Sequence, residues 1–180
     1  MKKRVLNIIF SILISGSCLA QFSKTHYMPP ISNSTSVPIG PQFLYISTPS
    51  INPITYQIKQ LGSTIVTGTV SRDLPAVFDT SINGNPNQFV VESSSLNTVL
   101  SNRGYIVEAQ DVIYVAARLT DVSGNQAGHV ISKGLAALGK TFRIGGMTNS
   151  LNANYGAIHQ TFISVLATEN NTTVTYSNIG

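Results

Sequence analysis

From Phe43 onward the chain is written as short apolar runs, most of them β-branched or aromatic, each closed within a few residues by Gly, Pro, Asn or Ser. That punctuation leaves no room for long helices. Ile54-Thr55-Tyr56-Gln57-Ile58-Lys59 alternates with period 2, so Ile54, Tyr56 and Ile58 share one face of a strand. Phe43–Ile46, Thr64–Val70, Ala76–Phe78 and Phe89–Val91 read as further strands, with a turn at Gly62-Ser63 and an Asn83-Gly84 loop signal within 81–87. Gly68 inside its run marks a bulge.

The second half continues the pattern. Gly104–Glu108 and Val112–Leu119 flank Ala109-Gln110-Asp111 and read as a hairpin, the second strand apolar enough to be buried on both faces. Thr141–Ile144 returns to alternation, and 148–156 is polar loop. Thr161–Ala167 and Thr173–Tyr176 form a last hairpin around Glu169–Thr172. Only 131–138 could hold a turn of helix. Many short strands at this spacing predict an all-β fold, an antiparallel β-sandwich. The run stops at Gly180 just after a strand, which suggests an incomplete module from the N-terminal part of a longer protein.

The N-terminus is a different kind of segment. Lys2, Lys3 and Arg4 precede an apolar stretch from Val5 to Ile14, then Ser15-Gly16-Ser17, then Cys18-Leu19-Ala20 with small residues at −3 and −1 before Gln21. This is the order of a secretory signal peptide over 1–20, and the apolar stretch is too short to span a bilayer. Lipidation at Cys18 is the alternative, but an apolar residue at its −3 position is missing. Residues 21–41, rich in Pro and Ser, read as an extended lead-in, and 42–180 as the β-module.

Export changes the charge argument. The chain has 11 Lys+Arg against 7 Asp+Glu, and three of those cations sit in the signal. Eight remain against seven, a net charge of +1, and they are scattered along the chain. A nucleic-acid binder needs clustered cations to displace counterions, so none is expected as a partner. The single Cys lies in the signal, which leaves the mature chain without a disulfide or a catalytic thiol. About 160 residues must therefore be held by an ordinary core.

Each motif that carries chemistry has a competing structural reading. Gly134-Leu135-Ala136-Ala137-Leu138-Gly139-Lys140-Thr141 fits the phosphate-binding loop pattern. Such a loop needs a helix after Lys-Thr, whereas Thr141 opens a β-like run; the better reading is an apolar turn capped at Gly139, with no nucleotide bound. His26, His129 and His159 lack the spacing of metal ligands. Asp121-Val122-Ser123-Gly124-Asn125 resembles the start of a calcium loop without its terminal bidentate acid. The seven carboxylates are dispersed, and no nucleophile motif appears. Asn33-Ser34-Thr35 and the overlapping acceptor patterns at Asn170 and Asn171 read as turn residues. No catalytic, cofactor or metal residue is expected.

Two segments carry a resemblance. Leu135–Ile144, LAALGKTFRI, and Phe162–Thr175, FISVLATENNTTVT, resemble signatures of the IgGFc-binding protein N-terminal domain family. The lead-in Phe22–Pro30 resembles the mature start of Bacteroidota surface proteins that carry that module. The match covers mainly 22–30 and 104–177. It implies a β-rich extracellular module in a large surface or secreted protein, of the kind that often ends in a gliding-motility-associated or type IX secretion sorting domain. It implies no antibody binding and maps no site residue.

Together these features lead to the expectation of a secreted or cell-surface module that acts in adhesion, binding or structural display and is not an enzyme. The partner would be an extracellular protein or glycan. The alternative is an extracellular carbohydrate-active hydrolase, which two carboxylates facing one cleft would favour. A binder differs from a passive spacer by an exposed aromatic patch, and Tyr27, Tyr45, Tyr105 and Tyr155 are the tyrosines that could supply it.

Overall fold

A computed structural model describes residues 21–33, 38–83, 88–125, 127–145 and 162–177. The signal segment, the Asn-Gly turn at 83–84, the loop at 148–156, Tyr155 and His159 lie wholly or partly outside the described residues. The described residues form nine strands: β1 (Ser23–Met28), β2 (Ile31–Ser32), β3 (Ile39–Ser47), β4 (Ile54–Gln60), β5 (Ser63–Val70), β6 (Ala76–Asp79), β7 (Val90–Val91), β8 (Tyr105–Asp121) and β9 (Ala127–Ile131). The fold is all-β and mostly antiparallel, as the alternation requires. Its main strands form one curled seven-stranded sheet, with β2 and β7 making a separate parallel pair. No helix among the described residues is long and apolar enough to cross a membrane.

The organising element is β8, which is 17 residues long. Its N-terminal half pairs with β4 and β1, for example Ile58 and His26 both opposite Val107. Its C-terminal half pairs with β3 and β9, with Tyr45 and Ile131 both opposite Ala116. The hairpin expected around Ala109-Gln110-Asp111 is therefore not formed, and the chain runs straight on. Tight hairpin loops favour residues with positive φ, and no residue from 105 to 121 has one. The flanking runs instead find partners far away in sequence.

Where β8 passes from one set of partners to the other, its backbone groups need other partners. Side chains supply them. Lys24 Nζ donates to the Gln110 carbonyl at 2.9 Å, Thr48 Oγ1 to that of Val112 at 2.8 Å, and His26 Nε2 to that of Ile113 at 2.8 Å. The Val112 N–H donates to the neighbouring Asp111 carboxylate at 2.8 Å.

Away from the 109–111 crossing, where Asp111 is exposed, the odd-numbered residues of β8 face inward. Tyr105, Val107, Ile113, Val115, Ala117 and Leu119 join Leu44 and Ile46 from β3, Ile54, Tyr56 and Ile58 from β4, Val70, Phe78 and Phe89 in one core. The Tyr105 ring meets Phe78 edge-on, with centroids 6.0 Å apart, and lies 6.1 Å from Phe89. Buried Gln88 closes this end: its Nε2 donates to the Gly104 carbonyl, while its Oε1 accepts from Gln60.

Several local expectations are corrected. The lead-in contributes β1, whose His26 and Met28 are fully buried against β8. Pro29-Pro30 ends that strand without keeping the segment out of the domain. Gly68 is in regular register with Tyr56; the bulge lies between Ile58 and Lys59, and the absent Gly68 side chain makes room for the Tyr56 ring. Helical turns occur at Thr80–Asn83 and Ser93–Ser95 as well as at Gly134–Ala137, three where the pattern allowed one. Residues 141–145, 162–167 and 172–177 are not in strands. Their alternation is real, but a strand exists only where a partner edge is met. The turn between the last two runs does form: Asn171 has φ 60° and Thr172 Oγ1 donates to the Glu169 carbonyl.

Candidate functional site

Because antiparallel partners point to the same side of a sheet, the register defines what each face displays. On the outer side of the half-sheet made by β6, β3, β8 and β9, one row runs Asp79, Phe43, Arg118, His129. The adjacent row runs Val77, Tyr45, Ala116, Ile131. The Phe43 and Tyr45 rings lie 6.4 Å apart at 56°. Tyr45 is 37% exposed and Val77 55%. One row further on, Tyr114 stands opposite Ser47, and the Phe22 ring lies 6.3 Å from it. The result is an aromatic strip on an open face, with a guanidinium and an imidazole beside it.

The four tyrosines separate clearly. Tyr45 is on this strip. Tyr27 lies on the outer face of the other half-sheet, opposite Ile106 and away from the strip. Tyr105 is 1% exposed and belongs to the core. Tyr155 is outside the described residues. Phe43 and Arg118 were not legible as site residues, because only the β3–β8 register brings them together. Alternation along Phe43-Leu44-Tyr45 was the available signal that Phe43 and Tyr45 share a face.

The electrostatics of the strip differ from those nearby. On the other half-sheet, Lys59 Nζ donates to Glu108 at 2.6 Å, so that cation is neutralised. Lys24 lies 4.0 Å from Asp111. Arg118 and His129 are exposed, and among the described residues neither is held by an ion pair or hydrogen bond. Asp79, at the far end of the row, is engaged in an interaction of its own.

The motif residues have structural roles. His26 is buried; its Nε2–H also reaches the Ser23 carbonyl at 3.2 Å, and its buried Nδ1 has no hydrogen-bond partner among the described residues. Burial holds its pKa below the ordinary value, against the opposing pull of the Ile113 and Ser23 carbonyls. In the Gly134–Thr141 motif, Gly134 has φ 55° and is pressed against Ser23, where a Cβ would come within 2.3 Å of the Ser23 Cβ. The turn ends at Leu138, which is extended, so Gly139 is not its left-handed cap; Phe142 packs over Gly139. Coil, not helix, follows Lys140-Thr141.

Asp121–Asn125 is the turn between β8 and β9. Ser123 Oγ donates to the Asp121 carboxylate, Asn125 Nδ2 donates to Ser123, and Gly124 takes φ 76°. Those oxygens are used in closing the turn. Asn33 clamps three segments, donating to Glu92 and accepting from the Ile39 N–H at 2.9 Å. Among the described residues no three His, Cys, Asp or Glu side chains come together as a metal site. The carboxylates are spread along the chain: Asp73 before β6, Asp79 ending β6, Glu92 after β7, Glu108, Asp111 and Asp121 at intervals along β8, and Glu169 in the last turn.

Compared with known proteins, the chain matches no family model, no curated protein and no solved structure.

Proposed function

We propose that the chain is a non-enzymatic module exported from the cytoplasm, secreted or held at the cell surface, and that it acts in adhesion or display by binding an extracellular partner on the outer face of β3 and β8. The observation that carries the reading is the ring pair of half-buried Phe43 and exposed Tyr45 beside Arg118, which has no ion-pair partner among the described residues. A large exposed ring is kept on a sheet face at some cost in solubility, and a contiguous patch of this kind marks an interaction surface. The dispersal of the carboxylates supports binding over hydrolysis, since glycoside cleavage needs two acids facing one bond. The charge, apolar stretch and small-residue order of residues 1–20 supports export. Resemblance to the IgGFc-binding protein N-terminal domain family points the same way, toward surface proteins.

Two measurements test it. Mass spectrometry of the protein recovered outside the cytoplasm should give Gln21 as the first residue; retention of the intact N-terminus in the cytoplasm counts against export. A glycan and matrix-protein array should give ligands for the wild type that Tyr45→Ser loses. An array without ligands, or with ligands indifferent to Tyr45, removes the binding reading.

A further inference from the structure

We propose that the outer face of β6, β3, β8 and β9 takes an anionic polysaccharide, with a pyranose ring against Phe43 and Tyr45 and its carboxylate or sulfate on Arg118. The inference rests on the binding reading above and gives it a ligand class.

Chemical complementarity argues for this occupant. Strands in a sheet lie about 5 Å apart, so Arg118 stands one strand from Phe43 in the same row, and His129 one strand beyond it. An acid group projecting from a sugar ring seated on Phe43 and Tyr45 would reach the guanidinium without bending the chain. Arg118 has no carboxylate partner among the described residues, whereas Lys59, on the other half-sheet, is paired with Glu108. Arg118 is therefore an available cation on this face, and the carboxylate of its row, Asp79, is already engaged at the far end, although the mature chain carries only +1 overall. A guanidinium presents a planar fork suited to carboxylate and sulfate. One such cation with aromatic neighbours suits a ligand with modest, regularly spaced charge and apolar ring faces. It does not suit nucleic acid, which needs many clustered cations. An acidic peptide would satisfy Arg118 but gains less on the face of central β3 and β8, since extended peptides bind through edge hydrogen bonds. Central β3 and β8 have both edges paired.

The test uses hexagalacturonate and its fully methyl-esterified form, which keeps the rings and removes the charge. Calorimetric titration should give binding of the acid at least tenfold tighter than of the ester. Arg118→Ala should lower affinity for the acid to that for the ester and leave the ester unchanged. Tyr45→Ala should weaken both about tenfold. Arg118 is exposed, so Arg118→Ala and Arg118→Gln should melt with the wild type, and circular dichroism verifies this for each variant. Equal affinity for acid and ester, or indifference of the acid to both Arg118 variants, overturns the anionic ligand. Ester binding that still depends on Tyr45 would then leave the binding face standing. A hexaglutamate peptide that binds more tightly than the sugar, or no binding of either sugar at millimolar concentration, also overturns the proposal; in the latter case the array with Tyr45→Ser judges the broader reading separately.

Discussion

His26 Nε2–H donates to the Ile113 carbonyl across 2.8 Å, tying the first strand to the point where β8 exchanges its partners. Carbonyls only accept, so Nε2 carries a proton, and protonating the buried Nδ1 as well would create a donor with nothing among the described residues to receive it. Burial places the folded pKa below the ordinary 6.5. The unfolded chain therefore binds more protons in the window below 6.5, and stability falls as pH drops through it, levelling off below the folded pKa. Urea unfolding at pH 7.5, 6 and 5 should show a falling midpoint. His26→Gln should be less stable at pH 7.5, by about 1–3 kcal/mol, with a flatter dependence below 6.5. An unchanged slope in the variant would assign the acid loss elsewhere.

The β4–β5 turn holds a correctable strain. Leu61 has φ 53° and Gly62 φ 78°, a two-residue turn with both central residues left-handed. Asn-Gly is the preferred pair for such turns, and a branched side chain in this region costs about 1 kcal/mol. Leu61 is mostly exposed, so little packing is lost. Leu61→Asn should stabilise the protein by about 0.5–1 kcal/mol, and Gly62→Val should destabilise it by at least as much. Chemical denaturation of both variants checks the pair.

Tyr56 and Gly68 face each other across β4 and β5, and a Cβ at Gly68 would lie 2.7 Å from the Tyr56 hydroxyl oxygen. Gly68→Val should cost about 1–3 kcal/mol by overpacking. Gly68→Val with Tyr56→Leu should recover part of it, giving a non-additive cycle. Burial raises the Tyr56 pKa above 10.0, so its contribution is full below pH 10 and is lost as pH rises through the raised value. Ultraviolet titration should find a late-ionising phenol that is lost in Tyr56→Phe.

Much of the fold was legible where pairing is local. Ile54, Tyr56 and Ile58 announced β4, and the Gly62 turn delivered β5 beside it. The reading failed where pairing is distant. Val107 and Ile113 look like the two arms of one hairpin, because sequence cannot reveal that β1, β3, β4 and β9 will occupy those edges. His26 and Met28 were hidden by the neighbouring prolines, although their spacing matches Val107 and Tyr105 opposite. Phe162, Val165, Val174 and Tyr176 show the reverse case, residues of strand type that remain exposed and outside any strand. The candidate site was half legible. Tyr45 was one of four tyrosines worth weighing, and Arg118 became meaningful only through its register with Phe43.

The Lys59–Glu108 pair should matter little. Both side chains are partly exposed, and such pairs contribute about 0–1 kcal/mol and weaken with salt. Lys59→Met should shift stability by no more than about 1 kcal/mol. A larger loss, insensitive to 1 M salt, would mean that Lys59 does more than pair with Glu108.

Everything proposed for the outer face depends on β8 continuing through Ala109–Asp111 as one strand. Backbone nuclear Overhauser effects measure this directly. Cross-strand contacts are expected between Val107 and both Ile58 and His26, and between Arg118 and both Phe43 and His129. Contacts of Glu108 with Val112 and of Val107 with Ile113, the signature of a hairpin, would contradict it and separate the aromatic strip from Arg118.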